Sequence, residues 1–315
     1  MGKIAFIFPG QGAQYVGMGK EIADTFEAAD RIFGEATEAL GFDIKKMVFE
    51  GDKETLKITE NTQPAIVTAS VACSRPLLEA GIKPDYVAGL SLGEYCAHVI
   101  SGSLAFRDAV KLVRKRGKYM QEAVPLGEGA MAAILGLSRE DVLAVCREAG
   151  SLGVVEAVNF NCPGQVAVAG QTAAVNEAIK LAQEKGAKRA ILLNVSAPFH
   201  CSLLKNAGQQ LAKELEMVAV KDMNIPVVTN VTGKVIRSSA EIKDLLIKQV
   251  SSPVYWEDCV ETMIENGVDT FIEIGPGKVL SGFVKKIDKS VNIYNVEDNS
   301  SLEQVLAAVE GAIKK

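Results

Sequence analysis

The chain has 315 residues, 48% of them hydrophobic and 23% charged, enough for about two domains around a large core. Its net charge of −5 argues against nucleic acid as a partner, and no apolar run reaches the length of a membrane span. Six cysteines (Cys73, Cys96, Cys146, Cys162, Cys201, Cys259) show no C-x-x-C pair and no metal-ligand spacing, so reduced thiols, a cytoplasmic location and no metal are expected. The apolar run at residues 3–8 is too short for a secretory h-region, and Phe6 stands where a myristoylation signal needs Ser or Thr.

In chain order, residues 4–8 read as a strand and 61–79 as a helix with Pro64 in its first turn. Residues 86–90 read as a second strand, and 104–123 contain another helix, an alternation that implies a parallel α/β sheet. A hinge-like Pro125-Leu126-Gly127-Glu128-Gly129 follows. Next come a strand (131–137), a helix capped by Ser138 (138–149), and strands 154–160 and 165–169 joined through 161–164. A helix (172–185) ended by Gly186 and a strand (188–195) complete the run. The order βαββαβ is the ferredoxin-like split arrangement. The expected organisation is therefore a hydrolase-like α/β body (1–124 and 197–315) with a ferredoxin-like subdomain (125–196) inserted, and substrate in the cleft between them. The remainder reads as a helix (203–217), a strand (225–231), a helix (240–250), a strand (270–274) opening onto Gly275-Pro276-Gly277, and a last helix (301–315).

The chemistry concentrates at Gly89-Leu90-Ser91-Leu92-Gly93, a G-x-S-x-G pentapeptide between strand and helix. That context suits a nucleophile elbow, in which flanking glycines supply room and unusual backbone angles and the following helix aims N–H groups at developing negative charge. The alternative is a turn whose serine merely caps the helix. An activated serine needs a base, and the chain has two histidines. His98 lies seven residues beyond Ser91 on the same helix, roughly 10 Å along the axis, out of reach and suited to packing or the surface. His200 follows a strand on a loop, where it can reach a neighbouring elbow. Cys201, beside it, suits a buried small residue better than a second nucleophile.

Phe8-Pro9-Gly10-Gln11-Gly12 fails the dinucleotide and phosphate-loop fingerprints, which leaves a second oxyanion donor or a plain turn. Gly275-Pro276-Gly277 fails them too and reads as a turn. In the helix at 104–123, Lys111, Arg114, Lys115 and Lys118 project to one side, whereas Arg116 falls on the apolar stripe with Ala109, Val113 and Met120. An inward guanidinium wants a carboxylate or phosphate, from a ligand or from an internal Asp or Glu. No acid stands out as a third triad member.

Together these segments resemble the malonyl-CoA:acyl carrier protein transacylase family. The resemblance rests on Phe8-Pro9-Gly10-Gln11-Gly12, Thr62-Gln63-Pro64-Ala65, Gly89 through Glu94, Arg116-Gly117, and Asn159-Phe160-Asn161-Cys162-Pro163-Gly164-Gln165. Pro198-Phe199-His200, Gln249 with Pro253-Val254, and Glu273 through Gly277 complete it, in the family's order over nearly the whole chain. It implies that Ser91 is acylated, that His200 is its base and acid, and that the main-chain carbonyl of Gln249 orients the imidazole. It implies backbone N–H donors from Gln11 and Leu92 in the oxyanion hole, and Arg116 paired with the malonyl carboxylate. Gln63, Asn159, Asn161 and Met120 fall at pocket-lining positions, and Phe199 resembles the phenylalanine of malonyl-selective relatives. Two positions depart from the family: Leu90, where histidine is common, and His98, where an apolar residue is usual. The implied substrates are malonyl-CoA and acyl carrier protein, with no cofactor because the CoA thioester is itself a substrate. A serine hydrolase or a non-catalytic docking domain would share parts of this pattern, but an inward arginine has no use in a lipase's acyl pocket. Lys111, Arg114, Lys115 and Lys118 offer a candidate docking face for an acidic carrier.

Overall fold

A computed structural model describes residues 2–125, 127–195 and 197–313, with side chains through residue 309. Ten strands occur among them: β1 (Lys3–Phe8), β2 (Tyr86–Gly89), β3 (Gly129–Leu135), β4 (Val155–Cys162), β5 (Gln165–Gln171), β6 (Arg189–Leu192), β7 (Val227–Val228), β8 (Val254–Tyr255), β9 (Val268–Ile274) and β10 (Asn292–Val296). They form two five-stranded sheets.

The first sheet runs β10-β9-β1-β2-β7 with every pairing parallel. Parallel sheets are covered on both faces, and β1 shows why it sits at the centre. Its residues from Ile4 to Phe8 are all buried, Phe6 and Phe8 in the largest apolar cluster and Ala5 and Ile7 in another on the opposite face. The helix Thr59–Glu79 lies against Phe106–Glu122, and both contribute to the larger cluster.

The second sheet runs β6-β3-β5-β4-β8. Its first four strands are antiparallel neighbours in the ferredoxin-like order, and β8, from later in the chain, adds parallel to β4. One face is covered by the helices Arg139–Ala149 and Thr172–Glu184. From the other face Met131, Val158, Ala167 and Ala169 join the main cluster, so this sheet packs onto the large body.

Several expected bounds shift for local reasons. The first long helix begins at Thr59, which puts Pro64 sixth in the helix rather than in its first turn. β4 continues through Cys162, so Asn161 stands on a strand and the turn is only Pro163-Gly164. The strand expected at 225–231 shrinks to Val227–Val228, and that at 188–195 to Arg189–Leu192. A short 3-10 turn, Ser202–Leu204, precedes the helix Lys205–Glu216. The last helix is Asn299–Ile313; Lys314 and Lys315 of its expected span lie outside the described residues, as do Leu126 and Ser196 beside the expected domain boundaries. Helices at Glu27–Leu40, Trp256–Glu265 and Val279–Ile287 were not expected.

Candidate active site

The elbow forms where β2 ends, and the helix Gly93–Ile100 begins two residues beyond Ser91. Ser91 has φ 53°, so the left-handed conformation belongs to the serine itself. Gly89 and Gly93 contribute room rather than unusual φ. A Cβ on Gly89 would overlap the Gly93 backbone, and one on Gly93 would overlap the Phe8 carbonyl. The elbow and the turn after β1 are thereby pressed together, with Leu90 N–H donating to Phe8 O at 3.0 Å.

Ser91 Oγ lies 2.6 Å from His200 Nε2, and His200 Nδ1 lies 2.8 Å from the Gln249 carbonyl oxygen. A carbonyl only accepts, so Nδ1 carries the proton, and Nε2 is left to accept from the serine hydroxyl. Burial, and then the nearby Arg116 charge, push the imidazole from its ordinary 6.5 down to about 3, so it is neutral near pH 7. His200 also has positive φ, 66°.

Arg116 is buried, as its place on the apolar stripe predicts. Its Nη1 donates to Gln63 Oε1 at 3.0 Å, and its Nη2 donates to Ser91 Oγ at 3.1 Å and to Gln249 Oε1 at 3.0 Å. The guanidinium carbon stands 5.6 Å from the centre of the Tyr95 ring. Among the described residues no carboxylate forms an ion pair with it; the buried Glu94 carboxyl acts on it only through space. Gly117 makes this placement possible: a Cβ there would stand 2.6 Å from Thr59 O, so the two long helices meet closely and bring Gln63 to Arg116.

Gln249 contributes more than its carbonyl. Its side-chain Nε2 donates to Ser91 O at 3.0 Å while its Oε1 accepts from Arg116. Gln63 Nε2 reaches Gln11 Oε1 at 3.4 Å and Met120 Sδ at 3.8 Å. The backbone hydrogen bonds among described residues leave the N–H groups of Gln11 and Leu92 unused. Asn159 is buried on β4 and Asn161 half-buried beyond it, and no hydrogen bond among described residues ties either side chain to Ser91, His200 or Arg116. Phe199 is buried and packs in the main cluster.

Sequence reasoning missed Asn230, two residues past the short β7. Its Oδ1 accepts from Ser91 N–H at 2.5 Å, and its Nδ2 donates to Gly89 O at 2.8 Å. Its own N–H donates to Glu94 Oε2 at 2.8 Å, and its carbonyl accepts from Tyr255 N–H at 2.9 Å. No motif announces it, because the pairing spans 139 residues. Glu94 is fully buried, and desolvation pushes its carboxyl up to about 7.

The remaining candidates settle by contact. His98 is fully buried, its Nδ1 3.0 Å from Ser103 Oγ, and burial pushes it down to about 4, so it is a packing residue. All six cysteines are free and buried, and burial pushes the Cys201 thiol up to about 12, which favours its protonated form near neutrality. On the expected docking face Arg114 pairs with Glu60 at 2.9 Å, Lys115 with Glu214, and Lys118 stands 3.9 Å from Glu122, while Lys111 is exposed and forms no ion pair among the described residues.

The acyl transferase domain family matches residues 5–306. The chain belongs to this family, among the malonyl CoA-acyl carrier protein transacylases. It is 48% identical over 311 residues to the malonyl CoA-acyl carrier protein transacylase of Bacillus subtilis, covering 98% of each chain. A solved transacylase from Clostridium perfringens superposes with a TM-score of 0.96 at 47% identity, covering 98% of each chain. A malonyl-transacylase solved in complex with a holo type II PKS acyl-carrier protein matches with a TM-score of 0.95 at 43% identity, over 97% of this chain and 99% of that one. No helix among the described residues is long and apolar enough to cross a membrane.

Proposed function

We propose that the chain moves a malonyl group from malonyl-CoA to the phosphopantetheine thiol of an acyl carrier protein, through a malonyl ester on Ser91. The observation that carries this reading is a buried guanidinium with no ion-pair partner among the described residues, hydrogen-bonded to the nucleophile of a Ser–His pair. A malonyl carboxylate would take over the donors that Arg116 now spends on Gln63 and Gln249, as a two-point contact.

In the first half-reaction Ser91 Oγ attacks the thioester carbon as His200 Nε2 takes the hydroxyl proton. The Gln249 carbonyl stabilises the imidazolium through Nδ1–H, and the N–H groups of Gln11 and Leu92 receive the oxyanion. Collapse breaks the C–S bond, and His200 returns the proton to the leaving CoA thiolate. In the second half-reaction His200 deprotonates the carrier's thiol, which attacks the acyl-serine, and Ser91 leaves with its proton restored. One shared acyl-enzyme gives ping-pong kinetics. No cofactor is needed: the thioester supplies the acyl group and His200 moves each proton. The unpaired cysteines support a reducing, cytoplasmic setting.

Initial rates over a grid of malonyl-CoA and holo-carrier concentrations test this reading. Parallel double-reciprocal lines and malonyl-carrier as product are expected. Malonate released at the same rate with or without carrier would make the protein a hydrolase instead.

A further inference from the structure

Large exposed apolar side chains are few, and three of them fall within five residues: Ile191 is 50% exposed, Leu192 54% and Val195 36%. They belong to β6 and the segment just after it, and β6 is an outer strand of the second sheet with one side unpaired. Exposed apolar edge strands invite pairing with other chains and persist where contact is their use. The register decides which way each strand residue faces. Ile191 pairs with Ala133, which pairs in turn with Ala167, a member of the main cluster beneath the sheet. Leu193 packs against the same cluster. Ile191 therefore lies on the side turned toward the large body, as does Arg189 two residues before it, at the outer rim of the second sheet; Leu192, paired with Ala132 of the helix-covered cluster, points to the opposite side.

Charge distinguishes this rim from the rest of a net-negative surface. Residues 185–202 include Lys185, Lys188 and Arg189 and no Asp or Glu, in a chain with 39 acidic residues. Lys188 and Arg189 are exposed and form no ion pair among the described residues; Lys185 stands 3.7 Å from Glu148. Glu156 reaches this stretch from β4, but its carboxylate accepts from Ser202 N–H and Oγ–H. The same stretch carries the base, since His200 is five residues after Val195 and extended chain of that length spans at most about 18 Å. That is the length scale of a phosphopantetheine arm.

From the apolar edge, its basic flank and this reach, we infer that the β6 rim is the docking surface for the acidic acyl carrier protein. The carrier sets apolar side chains on Ile191 and carboxylates near Lys188 and Arg189, and its arm enters toward Ser91. This inference rests on the malonyl-transfer reading above and is an alternative to the Lys111–Lys118 face as the carrier's site, where Arg114, Lys115 and Lys118 each stand beside a carboxylate.

The test uses the full chain with Lys188→Glu/Arg189→Glu and, separately, Ile191→Asp, with Lys111→Glu as a control. Two rates are followed: acylation by malonyl-CoA without carrier, by intact mass, and transfer to holo-carrier at varied carrier concentration. Both rim variants should raise the carrier KM by about tenfold or more and leave acylation within twofold of the parent, while Lys111→Glu changes neither. The charge-reversal pair is on exposed side chains and keeps the test available if Ile191→Asp fails to fold. An unchanged carrier KM, or equal losses in acylation and transfer, overturns the rim as the docking surface. A parent that acylates but never yields malonyl-carrier overturns the transfer reading, and the docking inference falls with it.

Discussion

Ser91 and His200 meet at 2.6 Å between Oγ and Nε2, and they are the two non-glycine residues with positive φ among those described, at 53° and 66°. Left-handed backbone at a non-glycine residue costs on the order of 1 kcal/mol or more and persists only where the surroundings hold it. Here the strain sits on the two residues that must face each other from separate elements, and hydrogen bonds from Asn230 and Gln249 hold it.

Asn230 grips the elbow from both sides of the nucleophile, through Gly89 O and Ser91 N–H. Asn230→Ala should slow acylation of Ser91 by about 10- to 100-fold, since a displacement near 1 Å at a reacting atom costs about that much. An intact-mass time course separates misplacement from unfolding. Misplacement slows the approach to a full adduct, whereas unfolding lowers the final amplitude at the parent's rate. A lowered amplitude with unchanged rate would refute a positioning role.

Arg116 should decide acyl choice, because malonyl differs from acetyl by the carboxylate its guanidinium lacks. Removing one partner of a buried charge pair costs about 2–5 kcal/mol, or roughly 30- to several-thousand-fold in kcat/KM. Arg116→Ala should lose malonyl transfer by that order while acetyl transfer holds or rises, and Arg116→Lys should recover only part. Comparing malonyl-CoA and acetyl-CoA on the three proteins checks this. Equal losses on both substrates would make the arginine structural.

Phe199 is buried immediately before the base. Phe199→Ser should relax discrimination against methylmalonyl-CoA by about one methyl group's worth, 10- to 200-fold at most. The ratio of kcat/KM values for the two thioesters measures it, and an unchanged ratio would remove Phe199 from the acyl pocket.

Acid should destabilise the protein through its histidines. His98 is held at about 4 and His200 at about 3, both below their ordinary 6.5, so below that pH the unfolded chain takes up protons first. Their contribution is complete above 6.5 and is lost as pH falls toward the folded values. Glu94, raised to about 7, acts oppositely: the folded state keeps its proton as pH falls below 7, which offsets part of the loss. His98→Leu should leave turnover nearly unchanged and lessen the stability lost between pH 7 and pH 5 by on the order of 2 kcal/mol. Denaturant titrations of both proteins at the two pH values check this; an unchanged pH dependence would mean His98 titrates normally.

Much of the site is legible in the chain because its signals are local. Ser91 stands in a pentapeptide, Arg116 breaks an apolar stripe of period 3.6, and only two histidines need be weighed. The inserted βαββαβ unit reads correctly for the same reason, each strand or helix carrying its own period and turn. Part of what escapes is set by distance or brevity, although the 14-residue helix Glu27–Leu40 is neither distant nor brief. β8 is two residues long and pairs with a strand far away in sequence, as the fifth strand of the second sheet, and the strand read at 225–231 keeps only two residues as β7, leaving Asn230 beyond its end. The helices Ile44–Glu50 and Lys53–Lys57 are too short for a periodic signal and are set by Asp43 and Asp52 accepting from Lys46 N–H and Thr55 N–H. The elbow glycines mislead in one respect, since they serve close packing while the unusual φ falls on Ser91.

The central claim is a malonyl ester on Ser91 that the carrier's thiol discharges. Intact-protein mass spectrometry after mixing with malonyl-CoA, followed by addition of holo-carrier, tests it most directly. The parent should gain the mass of one malonyl group and lose it when carrier is added. Ser91→Ala should gain nothing, Cys201→Ser should behave as the parent, and His200→Ala should acylate about 10²- to 10⁴-fold more slowly. An adduct that persists on Ser91→Ala, or one on the parent that decays at the same rate whether or not carrier is present, would contradict the account.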